Sequence, residues 1–313
     1  MSFLVELPLA AYADHLFDDF APDKDFRIGT ARAMMWMSQL AYEVRHAHHK
    51  IEPVLHRWAL EPAALIGNGR TSIRPSSSTR GLVATGRGAT MIAFAGTDPV
   101  AFANWITNFN LGTRARDIHR GFDDAVDTVW RSIADALKPE KAQPVFVTGH
   151  SLGGALAIIA AERIRRELKI EASAVYTFGA PRVGSPAFAR SYNAGGLGER
   201  TYRLIHGLDI VPTLPPSRLG FRHAGRMIMC KRGSRFTGTE TISMCDCDDP
   251  PFFDTVRRGF HQRIADFTTG SFLPSSRSGW LGSWHKYVLT PTLTDHVPER
   301  YRRAFETAPR PDA

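Results

Sequence analysis

A glycine-rich segment in the middle of the chain contains the clearest catalytic pattern. Gly149-His150-Ser151-Leu152-Gly153 has the form G-x-S-x-G, with an apolar run before it and an apolar helical pattern after it. On a tight turn from a strand into a helix, Gly149 and Gly153 must be small because neighbouring backbones approach closely there. The turn places Ser151 at the positive end of the helix, where the Leu152 N–H can face a developing oxyanion. The pattern indicates a serine nucleophile for acyl transfer; the alternative is a serine that only caps a glycine-rich helix.

The partners of such a serine are expected further along the chain. A serine hydroxyl needs a base to take its proton and an acid to orient that base, and with this kind of turn the chain order is serine, acid, histidine. Asp209 follows an apolar strand pattern and precedes Ile210, Val211 and Pro212, so we expect it on a loop at a strand end as the candidate acid. Four histidines after it are candidates for the base: His223, His261, His285 and His296.

Two further histidines lie before the serine or beside it. His119 and His150 cannot easily approach Ser151 as its base, because one precedes it and the other adjoins it in the chain. We expect both to be buried hydrogen-bonding groups.

The elements around these residues alternate between strands and helices. Residues 217–285 show little regular structure in their pattern, and residues 1–25 are expected to form a loosely attached N-terminal arm. Strands alternating with helices indicate an α/β fold with a mostly parallel central sheet. The predicted strands are 81–85, 89–95, 144–148, 172–178 and 201–205, and the predicted helices are 30–44, 121–137, 152–168 and 298–307.

Five sequence motifs in a fixed order resemble those of the class 3 lipases, the fungal-type triacylglycerol lipases and their bacterial relatives. The resemblance runs from about residue 80 to residue 305, and we take the chain to be a bacterial member. It implies an α/β-hydrolase fold with a mixed central sheet and one domain over residues 1–313. The motifs are GHSLGGALA, IAFAGTD followed by NWITNFN, IHRGFDDA, TFGAPRVG and RLIHGLDIVPTLPP.

The resemblance also implies roles for particular residues. Ser151 matches the family's nucleophile and Asp209 its acid. His296, in TDHVPERY, matches the histidine of a C-terminal Asp-His segment that a tyrosine follows, here Tyr301. His285 is the second candidate for the base. The implied oxyanion hole consists of the backbone N–H groups of Leu152 and Thr97, the residue after Gly96. No cofactor is implied.

Residues 98–113 contain a short amphipathic stretch. Phe102, Trp105, Ile106 and Phe109 fall on one helical face, and polar residues fall on the other. In the family, this position holds a lid helix that covers the site and swings away at a lipid interface. The alternative is an ordinary half-buried helix.

Composition excludes several other classes of protein. The chain has 313 residues, 43% hydrophobic and 22% charged, with a net charge of +8. No apolar run reaches the roughly 18 residues that a membrane-spanning helix needs. The arginines are spread along the chain, which favours a solvated basic surface over a nucleic-acid footprint. The N-terminus is typical of mature protein rather than of a signal peptide, so both a cytoplasmic and a secreted location stay open.

The cysteines and acidic residues do not predict a metal site. Three cysteines are too few for a disulfide framework, and either one bridge from Cys230 or reduced thiols would fit. The pair Cys245 and Cys247 with one distant cysteine is a poor zinc pattern. Four aspartates lie close together, but their spacing does not match a calcium loop and is more typical of an exposed acidic loop. They are Asp246, Asp248, Asp249 and Asp254.

The sequence thus predicts a serine carboxylic-ester hydrolase, and the resemblance favours a triacylglycerol lipase acting on lipid or ester substrates with transient contact to a lipid interface. A phospholipase A1 or a soluble carboxylesterase on the same fold is the first alternative. A membrane-surface binding protein without enzyme activity is the second.

Overall fold

A mixed β-sheet forms the centre of the structure. The computed structural model describes residues 6–45, 47–67, 79–96, 117–137, 143–244, 254–255, 257–258, 261–262 and 291–306. Within these ranges the sheet has eight strands, and their order in space follows their order in the chain. They are β1 (Leu60–Ile66), β2 (Gly81–Gly86), β3 (Ala89–Phe94), β4 (Val145–His150), β5 (Ala172–Phe178), β6 (Thr201–His206), β7 (Arg226–Cys230) and β8 (Ile242–Ser243).

The middle of the sheet is parallel and its two edges are antiparallel. Strands β3 to β7 pair in parallel, while β1–β2, β2–β3 and β7–β8 pair in the antiparallel sense. In β4 the register sets Gly149 opposite Thr177 of β5, and His150 opposite Phe178. Parallel strands point their carboxyl ends to one edge, so the residues that follow β4, β5 and β6 meet there.

Helices cover both faces of the sheet. The described helices are α1 (Ile28–Glu43), α2 (Ile51–Arg57), α3 (Arg120–Asp127), α4 (Trp130–Ala136), α5 (Leu152–Arg163), α6 (Pro186–Ala194), α7 (Pro291–Thr294) and α8 (Pro298–Arg303). One hydrophobic core joins α1 and α8 to one face, and a second core joins α3, α5 and α6 to the other. Strand β4 lies between the two cores and is buried along its whole length, as an apolar strand of a parallel sheet should be.

The predicted α/β-hydrolase architecture is confirmed, but some element boundaries were wrong. The helix predicted over 121–137 is two helices, α3 and α4, with the β-branched residues Thr128 and Val129 between them. The Thr128 hydroxyl donates to the Ala125 carbonyl at 2.7 Å and competes with the helical backbone bonds there. The helix predicted over 152–168 ends at Arg163, and a π-helical turn, Ile164–Leu168, continues it.

Three described strands were absent from the sequence prediction, namely β1, β7 and the two-residue strand β8. Strand β1 contains Pro62, which disfavours a central strand, and the structure accordingly has it at the edge of the described sheet with a bulge between Pro62 and Ala64. Strand β7 lies inside residues 217–285, where little regular structure was expected. It is only five residues long, and it gains its parallel pairing from β6 rather than from any local turn signal.

The described part of the N-terminal segment is packed closely against the body, in contrast to the loose attachment expected for residues 1–25. Tyr12 and Phe17 are fully buried, and the Phe17 ring stacks on Trp58 with ring centroids 4.5 Å apart. The Trp58 indole N–H donates to the Ala13 carbonyl at 2.9 Å. These contacts attach the segment to α2 and the sheet.

Several predicted features lie outside the described residues. They are Thr97, the lid at 98–113, the two cysteines Cys245 and Cys247, and His285. Among the residues that are described, no helix is both long and apolar enough to cross a membrane.

Candidate active site

The turn between β4 and α5 holds Ser151 in a strained backbone conformation. Its φ is 59° and its ψ is −130°, a region that non-glycine residues rarely adopt. The Ser151 N–H donates to the Phe178 carbonyl at 2.8 Å, and the Gly154 N–H donates to the Ser151 carbonyl at 2.9 Å. These bonds fix the turn from both sides and place the serine at the N-terminal end of α5.

Glycine is required on both sides of the serine. A Cβ on Gly149 would lie 2.1 Å from the Gly153 carbonyl oxygen, and one on Gly153 would lie 2.4 Å from the Phe94 carbonyl oxygen. Both atoms belong to the backbone and cannot move aside. The close approach predicted from the G-x-S-x-G pattern is confirmed.

The Asp209 carboxylate lies on the loop after β6 and is buried. Its Oδ1 accepts the Val211 N–H at 2.8 Å, and its Oδ2 accepts the Tyr301 hydroxyl at 2.6 Å. Gly179 follows β5 with a φ of +60°, and a Cβ there would lie 2.5 Å from Asp209 Oδ2. A glycine at the end of β5 therefore leaves room for the carboxylate.

The His296 imidazole lies between the serine and the aspartate. His296 Nε2 is 2.8 Å from Ser151 Oγ, and His296 Nδ1 is 2.9 Å from Asp209 Oδ2. Because an ionised carboxylate only accepts hydrogen bonds, Nδ1 carries the proton and Nε2 accepts from the serine hydroxyl. This geometry is the one needed to draw the proton from Ser151 and to stabilise the imidazolium that results.

Burial keeps Tyr301 protonated beside the aspartate. Desolvation, together with the Asp209 charge, raises the pKa of Tyr301 well above its usual value. The hydroxyl therefore stays a donor to Asp209, and it also accepts the His206 N–H at 3.2 Å. The tyrosine joins the C-terminal helix α8 to the end of β6.

His150 supports the site from behind, as a buried hydrogen-bonding group. Its Nε2 is 2.8 Å from the His296 carbonyl oxygen and its Nδ1 is 2.8 Å from the Tyr42 hydroxyl of α1. Burial first, and then the neighbouring His296, lower the pKa of His150 well below its usual value. His150 is therefore neutral, and its ring stacks on that of His296 with centroids 4.8 Å apart.

The predicted oxyanion positions are described only in part. Leu152 is the first residue of α5, directly after the serine. Thr97 lies outside the described residues, but its neighbour Gly96 packs closely against Ser151, since a Cβ on Gly96 would lie 3.0 Å from Ser151 Cβ.

The other candidate histidines are not brought to the serine where the structure describes them. His223 is buried, its Nε2 donates to the Pro212 carbonyl at 2.7 Å, and burial lowers its pKa well below the usual value. His261 is exposed. His119 is buried with its ring 4.4 Å from that of Phe122.

Sequence reasoning missed Tyr42. A helix over 30–44 was predicted, but nothing in its spacing indicated that one residue of it would contact His150, the residue before Ser151, 108 positions away. That contact arises only when α1 packs across β4.

No metal site is found in the described part of the chain, where no three His, Cys, Asp or Glu side chains are grouped to hold an ion. Cys230 is buried, and desolvation raises the pKa of its thiol to about 11. Of the four clustered aspartates, Asp254 is exposed and the others lie outside the described residues.

Comparison with known proteins identifies the segment that carries this site. Residues 91–219 match the model of the family described as "Lipase (class 3)". A secreted mono- and diacylglycerol lipase from Fusarium solani is 43% identical over 131 residues, which are 38% of each chain. A lipase from Rhizomucor miehei is 35% identical over 173 residues, covering 50% of this chain and 45% of the relative. The chain thus spans less than half the length of these two relatives.

Solved structures extend the similarity beyond the matched segment. One, of a triacylglycerol lipase with a serine protease triad at its catalytic centre, covers 70% of this chain and 85% of its own, with 27% identity and a TM-score of 0.56. A Rhizomucor miehei lipase in complex with its propeptide covers 70% of this chain and 72% of its own, with 28% identity and a TM-score of 0.54. The chain has the α/β-hydrolase fold of these lipases, and the segment with Ser151 and Asp209 matches the class 3 lipase model.

Proposed function

We propose that the protein is a serine carboxylic-ester hydrolase and that its substrates are triacylglycerols. One observation carries the assignment as a hydrolase: the chain of hydrogen bonds from Ser151 through His296 to Asp209, with heavy-atom distances of 2.8 and 2.9 Å. The choice of triacylglycerols rests on the resemblance to class 3 lipases. In this proposal Ser151 is the nucleophile, His296 the base and Asp209 the acid that orients it.

The reaction proceeds through an acyl-enzyme. Ser151 Oγ attacks the ester carbonyl carbon while His296 Nε2 takes the hydroxyl proton, and the negative charge passes to the carbonyl oxygen. The backbone N–H groups of Leu152 and Thr97 hold that oxyanion, and one such donor contributes about 3 to 4 kcal/mol. His296 then protonates the leaving alcohol. A water molecule then gives a proton to His296 and attacks the acyl carbon. The bond from that carbon to Ser151 Oγ breaks, His296 returns the proton to Oγ, and the acid is released.

Residues outside this chain of hydrogen bonds are assigned on the resemblance. The stretch 98–113 is the lid, and its apolar side chains Phe102, Trp105, Ile106 and Phe109 contact acyl chains and, briefly, a lipid interface. The whole of 1–313 is one domain with an N-terminal arm at 1–25, and the chain is a bacterial member of the family. Several relatives are named as secreted, which favours a secreted location over a cytoplasmic one.

The central test is removal of the nucleophile. Ser151→Ala is expected to lower kcat for a p-nitrophenyl ester by about 10⁴-fold or more, because the acyl-enzyme cannot form. An alkyl phosphonate should bind covalently to Ser151 in the wild type, as mapped by peptide mass spectrometry. Ser191→Ala, on the exposed face of α6, is the matched control and should hydrolyse normally. Unchanged hydrolysis by Ser151→Ala would refute the assignment.

A substrate comparison separates triacylglycerol from the alternatives. Mono- and diacylglycerols are the first alternative, since relatives are named for them. Phospholipids and soluble esters, the substrates of a phospholipase A1 and a carboxylesterase, are the others. Rates on each at equal acyl length, below and above the concentration at which substrate separates from water, decide between them. A rise above that threshold on triacylglycerol supports the lipase. A protein that binds vesicles but hydrolyses none of the substrates would be the non-enzymatic alternative.

A further inference from the structure

A second buried carboxylate lies beside the proposed triad. Asp295 directly precedes His296, and its side chain is 1% exposed. Its Oδ2 accepts the N–H of Leu208, the residue before Asp209, at 2.9 Å. One side chain next to the base thus holds the backbone next to the acid.

An arginine completes this contact. Arg232 Nε lies 3.3 Å from Asp295 Oδ1. Arg232 lies two residues after the end of β7, so the carboxylate joins three segments that are far apart in the chain. A buried carboxylate needs such partners, because removing one leaves an uncompensated charge in a poorly solvated place.

The backbone at the end of β6 is shaped to receive the carboxylate. Gly207 has a φ of +62°, and a Cβ on it would lie 2.4 Å from Asp295 Oδ2. The Gly207 N–H donates to the Cys230 carbonyl at 2.8 Å, which fixes the turn to the end of β7. The close approach therefore belongs to a turn that is itself held in place.

These contacts act on the distance between acid and base. Asp209 Oδ2 and His296 Nδ1 are 2.9 Å apart, yet the two residues belong to different loops and are 87 positions apart. The Asp295 carboxylate joins the two loops, because Asp295 directly precedes His296 and its bonding partner Leu208 directly precedes Asp209. We propose that Asp295, with Arg232, is a positioning residue that keeps Asp209 and His296 in register. This inference rests on the proposed function.

The test compares Asp295→Ala, Asp295→Asn and Arg232→Gln. A misplacement of about 1 Å costs about 100-fold in rate, so Asp295→Ala should lower kcat by about that factor while KM changes by less than about threefold. Asp295→Asn keeps an acceptor for the Leu208 N–H and should recover most of the loss. Arg232→Gln should lower kcat by about tenfold, less than Asp295→Ala does, because the bond to Leu208 is kept.

Two variants are matched controls for a merely structural effect. Glu43→Gln alters a carboxylate that is 0% exposed and lies 3.3 Å from Lys50, and it should lower the Tm without changing kcat per active site. Arg200→Gln alters an arginine that is 32% exposed, close to the 30% of Arg232, and paired with Glu171. Active sites are counted by phosphonate titration, so that unfolded protein does not enter kcat.

Two outcomes would overturn the proposal. One is Asp295→Ala with wild-type kcat per titrated site. The other is a fall in kcat for Asp295→Ala that is equally large in Asp295→Asn and in the control Glu43→Gln. If Asp295→Ala does not fold, Arg232→Gln with wild-type kcat has the same meaning. Failure of the proposed function is distinct, because then the wild type hydrolyses no ester. In that case the position of the two side chains is tested without a substrate, by the downfield NMR resonance of the proton between His296 and Asp209. This resonance should weaken in Asp295→Ala.

Discussion

The rings of His150 and His296 stack beside Ser151, but their hydrogen-bond partners leave only one of them able to exchange a proton with the serine. The His150 Nε2–H donates to a carbonyl oxygen, which only accepts, so its Nδ1 must accept the proton of the Tyr42 hydroxyl. Both nitrogens are occupied, and burial keeps the ring neutral. His296 instead lies between a hydroxyl and a carboxylate. Only His296 is placed to take and return a proton.

The Tyr42 hydroxyl gives a direct test of this support. Tyr42→Phe leaves His150 Nδ1 buried without its donor, which should destabilise the fold by about 1 to 3 kcal/mol. We also expect kcat to fall by about tenfold, since a tilted His150 ring would shift the backbone of His296. Denaturant unfolding and steady-state kinetics measure the two effects.

Tyr192→Phe is the matched control for that experiment. Its hydroxyl is also buried and bonds Thr201 Oγ1 at 2.8 Å, on the other face of the sheet. It should lower stability while leaving kcat unchanged. Equal kcat values for the Tyr42 and Tyr192 variants would mean that the Tyr42 hydroxyl does not influence His296.

At the scale of elements, the sequence predicted what local chemistry determines. The turn from β4 into α5 was predictable because Gly149 and Gly153 reveal a close backbone approach within a few residues. The loop position of Asp209 after β6 was predictable from an apolar strand that ends in a proline-containing segment. The contact between Asp209 and Tyr301 depends on two elements 92 positions apart, and only a family resemblance pointed to that tyrosine.

The elements that were missed owe their structure to their neighbours. Strand β7 is short and pairs with β6 through contacts that its own five residues do not encode. Strand β1 carries a proline and is stabilised by pairing with β2. Helix α1 was predicted, but the face that it turns to His150 is set by packing across the sheet.

The β4–α5 turn should tolerate no side chain at Gly149. Gly149→Ala puts a Cβ 2.1 Å from a carbonyl oxygen of the same turn, so the turn must open and move Ser151. We expect a loss of at least about 1 to 3 kcal/mol in stability and near-complete loss of hydrolysis. Thermal unfolding and phosphonate titration measure these effects.

Gly220→Ala separates this clash from backbone strain. Gly220 has a φ of +82°, and a Cβ on it would meet nothing within 4 Å. It should cost about 1 to 2 kcal/mol from strain alone and leave hydrolysis intact. Full activity in Gly149→Ala would contradict the close packing of the turn.

At the scale of the whole molecule, the site depends on the N-terminal, middle and C-terminal parts of the chain. Tyr42 comes from α1, Ser151 and Asp209 come from the segment that matches the family model, and His296 lies well after it. Residues 91–219, which match the family model, therefore contain Ser151 and Asp209 but not His296. Packing of α1 and α8 on the same face of the sheet brings these parts together.

The same packing predicts how stability depends on pH. Each of three buried histidines has a pKa of about 6.5 when unfolded. In the folded protein, burial lowers the pKa of His150 and His223 well below that value and also lowers the pKa of His206. Below that pH the unfolded chain binds more protons than the folded one. Stability is therefore fully present above about pH 6.5 and is lost as the pH falls, by up to about 1.4 kcal/mol per pH unit for each histidine.

Urea unfolding at pH 7.5, 6.5 and 5.5 measures this slope, in a range where few carboxylates titrate. His223→Gln is the informative variant, because the glutamine amide can still donate to the Pro212 carbonyl but does not bind a proton. In this variant the free energy of unfolding should fall less between pH 6.5 and 5.5 than in the wild type, and the difference should equal the contribution of one histidine. A wild type equally stable at all three pH values would contradict burial of neutral imidazoles, and an unchanged slope in His223→Gln would assign the effect to the other two histidines.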